Sequence, residues 1–191
     1  MKRFVLVVVG VLAALGGFGC YESLTSIVTP DKVAFDPDLP GDYEATEPGT
    51  GRVEIRKGDD KGYTYRFYDQ KGELTNKGTL RLVKLGGETF YQFDVDGYAT
   101  ADGKAVYAIG RIVIEGKAGA KTLTGYSFKT KEQLFDAVGV ATAEYTVKEA
   151  GEEKRSRALA MSTEDLQKYL AAHGAEMTEA TLRFRQTGAA R

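Results

Sequence analysis

From residue 39 to the end of the chain, apolar and polar residues alternate in one segment after another, the pattern of β-strands with one buried face. Val53 and Ile55 fall on one side while Arg52, Glu54 and Arg56 fall on the other; Tyr63, Tyr65 and Phe67 oppose Thr64, Arg66 and Tyr68. Leu80 and Leu82 oppose Thr79 and Arg81, and Tyr91, Phe93 and Val95 oppose Gln92 and Asp94. The alternation returns over residues 109–114, 123–128 and 140–147, and in Leu182 and Phe184 beside Arg183 and Arg185. Turn-forming Gly and Asp separate the segments at 58–62, 70–72, Gly86-Gly87, Asp96-Gly97, Asp102-Gly103 and 116–119. Short strands joined by such turns are sequential antiparallel hairpins. About nine or ten strands exceed what one open twisted sheet comfortably holds, so the pattern predicts a mostly β fold, an antiparallel up-and-down β-barrel, with a β-sandwich as the alternative.

Two segments break the period. Thr130 with Gln133 forms a capping box ahead of Leu134, Phe135 and Val138, with Gly139 as the stop of a short helix. A longer helix is marked by Ser162 as its cap, Glu164 and Asp165 at its positive end and Gly174 at its close. Leu166, Tyr169, Leu170 and His173 share one face of it, which would lie against the barrel wall.

The amino terminus follows another pattern. Met1-Lys2-Arg3 is basic, residues 4–15 are an apolar run and residues 16–19 are small apart from Phe18, the three-part layout of a secretory signal over residues 1–19. The uncharged stretch 4–19 is shorter than a spanning helix needs. Cys20, the single cysteine, follows directly. In this arrangement the segment resembles the signal peptide of a bacterial lipoprotein, with Gly17 where that family's box usually carries Leu. The resemblance implies cleavage before Cys20 and lipidation of Cys20 in the cell envelope. Several acyl chains, palmitate among them, anchor firmly because each buried methylene contributes about 0.8 kcal/mol. Tyr21 rather than Asp follows the cysteine, which in such proteins implies the outer membrane, facing the periplasm, where the organism has two membranes. Residues 20–38 show no sustained period and contain Pro30 and Pro37, so they are expected to be a flexible tether, with 39–191 as one barrel domain.

A strand meander with a helix late in the chain and one more strand after it also resembles the lipocalin layout. Gly41-Asp42-Tyr43 lies where that family carries Gly-X-Trp, and Arg183 or Arg185 would cover Tyr43 as a late arginine covers the Trp. The likeness implies a barrel that holds a small apolar or amphipathic ligand.

Charge and composition narrow the chemistry. The chain carries 26 Lys and Arg against 27 Asp and Glu, and without Lys2 and Arg3 the net charge is −3. That balance offers no concentrated basic surface for nucleic acid. One Cys and one His fall short of a structural zinc site and rule out an internal disulfide. The carboxylate pairs Asp59-Asp60, Asp94 with Asp96, and Glu152-Glu153 lie in or beside turn signals, where solvation accounts for them better than a glycosidase dyad. Asp94-Val95-Asp96-Gly97 lacks the further acids of a calcium loop, with Tyr98 at its fifth position. His173 reads as a helix-terminal residue and Lys154-Arg155-Ser156-Arg157 as a solvated hairpin tip. No enzyme, metal or cofactor is expected.

Aromatics are the remaining signal, with eleven Tyr and nine Phe, many on the inward set. Tyr63, Tyr65, Phe67, Tyr91, Phe93 and Tyr145 are the candidate interior residues. They either fill a barrel only just wide enough for side chains or line a pocket with apolar walls and polar handles. A lipid-facing pore is excluded by Arg, Glu, Lys and Thr at the outward positions. Two functions follow: a lipid-anchored carrier of a small apolar ligand, or a lipid-anchored structural or interaction protein with a filled core that holds an envelope protein.

Overall fold

A computed structural model describes residues 21–100, 102–127, 141–149 and 152–189. Its strands are β1 (Tyr21–Ser23), β2 (Val33–Ala34), β3 (Gly41–Ala45), β4 (Arg52–Lys57), β5 (Tyr63–Tyr68), β6 (Leu74–Leu85), β7 (Glu88–Ala99), β8 (Ala105–Glu115), β9 (Thr122–Ser127), β10 (Thr142–Glu149), β11 (Glu152–Leu159) and β12 (Glu179–Ala189). One helix, α1 (Thr163–His173), precedes β12 and runs into a short 3₁₀ turn, Gly174–Glu176. Strands β3 to β9 pair in sequence, each antiparallel to the next, and β12 closes the ring between β9 and β3. The result is a closed eight-stranded barrel rather than a sandwich.

The register explains the closure. Tyr43 stands opposite Val53, Val53 opposite Phe67, Tyr63 opposite Leu80 and Leu80 opposite Phe93. Leu123 then stands opposite Phe184, and Gln186 returns to Tyr43. Side chains two apart point the same way, so the alternating apolar set of every wall strand meets in one interior cluster. Outside, the polar positions pair with each other: Arg56 Nη2 lies 2.6 Å from Asp42 Oδ1, and the Arg52 guanidinium sits 3.9 Å over the Tyr68 ring.

A second cluster lies on the outer wall, where Val83, Leu85, Phe90 and Ile109 face Leu166, Tyr169 and Leu170 of α1. Ser162 caps the helix by accepting from the Asp165 N–H at 3.1 Å. Gly174 closes it in ordinary right-handed geometry, and the reason for glycine there is packing: a Cβ would strike the Phe90 ring. The β6–β7 turn also needs glycine. Gly86 and Gly87 both have positive φ, and a Cβ on Gly86 would meet the Ala171 backbone.

Along the edge away from β7, β8 divides between two partners. Its second half pairs with β9, while residues 107–109 pair with β1, which lies parallel to β11. A small side sheet β8-β1-β11-β10 thus branches from the barrel, with Tyr145, Val106 and Ala158 buried against it.

Several expectations need correction. Residues 21–38 are not a loose tether. β1 and β2 are built into the sheet, Ile27 is fully buried, and Gln92 accepts from the Ile27 N–H at 2.8 Å and the Ser26 hydroxyl at 3.0 Å. Gln167 of α1 then donates to the Ile27 carbonyl at 2.8 Å. Backbone polar groups paired by neighbouring elements substitute for the periodicity that this segment lacks. Asp96-Gly97 makes no turn, because β7 runs through it to Ala99, and the hairpin closes beyond that, where Thr100 N–H donates to Lys104 O at 2.8 Å. Lys154 to Arg157 are strand, since Thr142–Glu149 supplies a full ladder opposite them. Arg183 and Arg185 face solvent and do not cover Tyr43; the inward residue of β12 opposite Tyr43 is Gln186. The short helix expected at 130–139 lies outside the described residues, as do residues 1–20. No helix among the described residues is long and apolar enough to cross a membrane.

Candidate barrel interior site

Tyr65, Tyr91 and Phe93 meet in the middle of the barrel. Phe93 lies 4.6 Å from the Tyr65 ring and 5.0 Å from the Tyr91 ring, both tilted, an arrangement favoured by the ring quadrupoles. With Leu80, Leu123 and Phe184 they border a cavity of about 40 Å³ that no polar atom faces. That is room for a few water-sized spheres, in a place with no hydrogen-bond partner to hold a water. Tyr65 turns its hydroxyl away from the cavity to Asn76 Oδ1 at 2.8 Å. Phe93 and Ile112 are only half-buried, so the cavity opens on their side.

The remaining candidates are placed differently. Phe67 packs in the same interior cluster, edge-on to Phe184 at 6.3 Å, but does not border the cavity. Tyr63 sits at one end of the barrel, and Tyr145 lies outside it, on β10 in the side sheet. Of the carboxylate pairs, Asp59 and Asp60 lie in the β4–β5 turn, with Asp60 and Lys61 in the left-handed region; Asp94 and Asp96 lie in β7, and Glu152 and Glu153 in β11. His173 ends α1, with Nδ1 2.9 Å from Glu176 Oε1 and its ring against Tyr169. No group of three or more His, Cys, Asp or Glu suited to a metal occurs among the described residues.

A polar plug closes the Tyr63 end. Lys121 points inward in the alternation with Leu123, its side chain only 8% exposed, and its ammonium lies 2.8 Å from Asp36 Oδ2. The Tyr63 hydroxyl accepts from the Asp36 N–H at 2.7 Å and donates to the Asp36 carbonyl at 3.0 Å. Phe35 stacks on the Tyr63 ring at 5.4 Å. Tyr43 donates to the Leu39 carbonyl at 2.5 Å, and Gln186 accepts from the Lys121 N–H at 3.0 Å.

The surroundings set the protonation of these groups. Burial works against a charge on Asp36, and the hydrogen bonds from Lys121 and the Asp38 N–H with the Lys121 charge outweigh it, holding the carboxyl below its usual value. Burial raises both phenols, aided by the nearby Asp36 charge; Tyr63 is pushed up to about 12 and Tyr43 higher still. Asp36, Lys121 and Gln186 were not singled out by the alternation reading. The signal for two of them was present: Lys121 shares its parity with Leu123, and Gln186 shares its parity with Phe184, so each is a polar residue on an apolar face. Nothing local marks Asp36, which arrives through the β2 segment.

Comparison with protein-family models, with curated proteins and with solved structures finds no match for this chain.

Proposed function

We propose that the chain is a lipid-anchored, non-enzymatic protein of the cell envelope whose barrel serves as a packed scaffold for a protein contact. The observation that carries the scaffold reading is the size of the interior: about 40 Å³ of open space, where pockets for small ligands run from roughly 300 to 1,000 Å³. The anchor is supported by the amino-terminal pattern, a basic start, a short apolar run and the single cysteine behind Gly19. β1 begins at Tyr21, so an anchor on Cys20 attaches the barrel to the membrane without a spacer.

Mass spectrometry of the protein extracted from its native membrane tests the anchor. Acyl mass on Cys20, and release of a Cys20→Ser variant from the membrane fraction, are the expected results; an unmodified thiol overturns the reading. A solvatochromic apolar dye tests the scaffold, and no saturable binding is expected. One dye bound per chain, displaced when Phe93 is changed, would instead support the second reading, a carrier for a small apolar molecule. The wholly apolar lining of the cavity favours that alternative.

A further inference from the structure

The closed barrel has no free edge, but among the described residues the side sheet that branches from β8 does. It ends on β10, which among the described residues pairs only with β11. The Ala160 N–H donates to the Ala141 carbonyl at 2.9 Å across that ladder, and the register continues without a shift to Glu149 opposite Glu152. In an antiparallel ladder, residues alternate between bonding to their partner and bonding away from it. The odd-numbered residues of β10 therefore bond to β11. The backbone N–H and C=O groups of Thr142, Glu144, Thr146 and Lys148 point along the open edge, a template for another strand.

The order of charges says which strand. Antiparallel pairing of two β10 edges about a twofold axis at Thr146 sets Thr146 opposite its own copy and position 144, Glu, opposite position 148, Lys, twice over. Pairing centred on position 144 would set Glu against Glu, and pairing centred on 148 Lys against Lys. Opposite charges directly across a strand pair favour it, and like charges disfavour it. Glu144 is exposed and Thr146 half-buried, so the edge is not covered from its Glu144 face among the described residues.

We propose that two copies of this chain associate edge to edge through β10, continuing the side sheet of one copy into that of the other across a twofold axis. The association depends neither on what the barrel interior holds nor on the anchor at Cys20.

The test uses the full chain in mild detergent with Cys20→Ser, so that an introduced cysteine is the only thiol. Thr146→Cys should form a disulfide-linked dimer on mild oxidation, because directly opposed, hydrogen-bonded positions have Cα atoms about 5.5 Å apart, within disulfide reach. Thr142→Cys, on the same edge, should not, since the proposed register separates it from its copy by about 27 Å at roughly 3.4 Å per residue. In sedimentation velocity, Glu144→Lys and Lys148→Glu should each lose the dimer, and the two together should restore it, which also shows that the single variants fail by repulsion and not by misfolding. A chain that stays monomeric at all concentrations, equal cross-linking at 142 and 146, or a dimer indifferent to either charge reversal overturns the proposal.

Discussion

The Tyr91 ring lies across Gly110, the residue directly opposite it in the β7–β8 ladder, and a Cβ at position 110 would collide with the ring and its hydroxyl. The missing side chain is what allows the ring to lie flat against the wall and still touch Phe93. Gly110→Ala should therefore overpack the interior, at a cost of about 1–3 kcal/mol in the denaturant midpoint. Tyr91→Ala should cost about 3–5 kcal/mol, and the double variant less than the two together, because the added methyl occupies space the ring has left. Strict additivity would show that the ring is not seated on the glycine.

Phe67 separates the two readings of the interior. It is buried and meets Phe184 edge-on. In a filled scaffold, Phe67→Ala should cost about 3–5 kcal/mol, with no dye bound by the unaltered protein. A mild loss accompanied by a change in dye affinity would count for the carrier.

The docking of α1 can be read from two residues on opposite faces. Leu170 is buried among Val83, Leu85 and Phe90, and Leu170→Ala should cost about 2–5 kcal/mol. Lys168 is exposed and paired with Glu164 one turn earlier, and Lys168→Ala should leave the unfolding midpoint unchanged. Equal effects would mean that the helix does not pack on the wall.

The plug predicts an acid dependence. The Asp36 carboxyl is held below its ordinary value of 3.8 in the folded chain, so its contribution is present above that value and is lost as the pH falls below it. Asp36→Asn should flatten this acid limb. It should also destabilise the fold more than Lys121→Met, since it leaves a buried ammonium unpaired, whereas the methionine strands only a partly exposed carboxylate. The reverse order in urea titrations would place the ammonium in solvent.

At the alkaline side, Tyr63 is raised from 10 to about 12, so the fold favours its neutral form. That contribution is present below pH 10 and is lost as the pH rises from 10 towards 12. Tyr63→Phe should flatten the alkaline limb and cost about 1–3 kcal/mol at neutral pH, because the Asp36 N–H loses its acceptor in a part-buried place. An unchanged alkaline limb would show that the hydroxyl reaches water.

The identity of most barrel strands, most of their inward set and the caps of α1 were determined by the sequence alone, because they depend on periods of two and 3.6 residues and on short-range capping. Val53 with Ile55, Tyr63 with Tyr65 and Phe67, and Ser162 with Asp165 are legible within a few residues of chain. What only the tertiary structure decided lies between distant segments. Closure of the ring needs β12 to reach β3, about 140 residues away along the chain, a pairing that no local period encodes. Gln92 reads as a solvent-facing residue by parity and is buried because residues 23–29 and α1 cross over it. Tyr145 has the same alternation as Tyr65 and lies outside the barrel, since period two tells which face a side chain takes but not what that face meets. The interior is nearly full for a similar reason: its volume is set by how Tyr91 and Phe93 of β7 interlock with Tyr65 of β5, and Gly110 makes room for one of those rings only when the register brings it opposite.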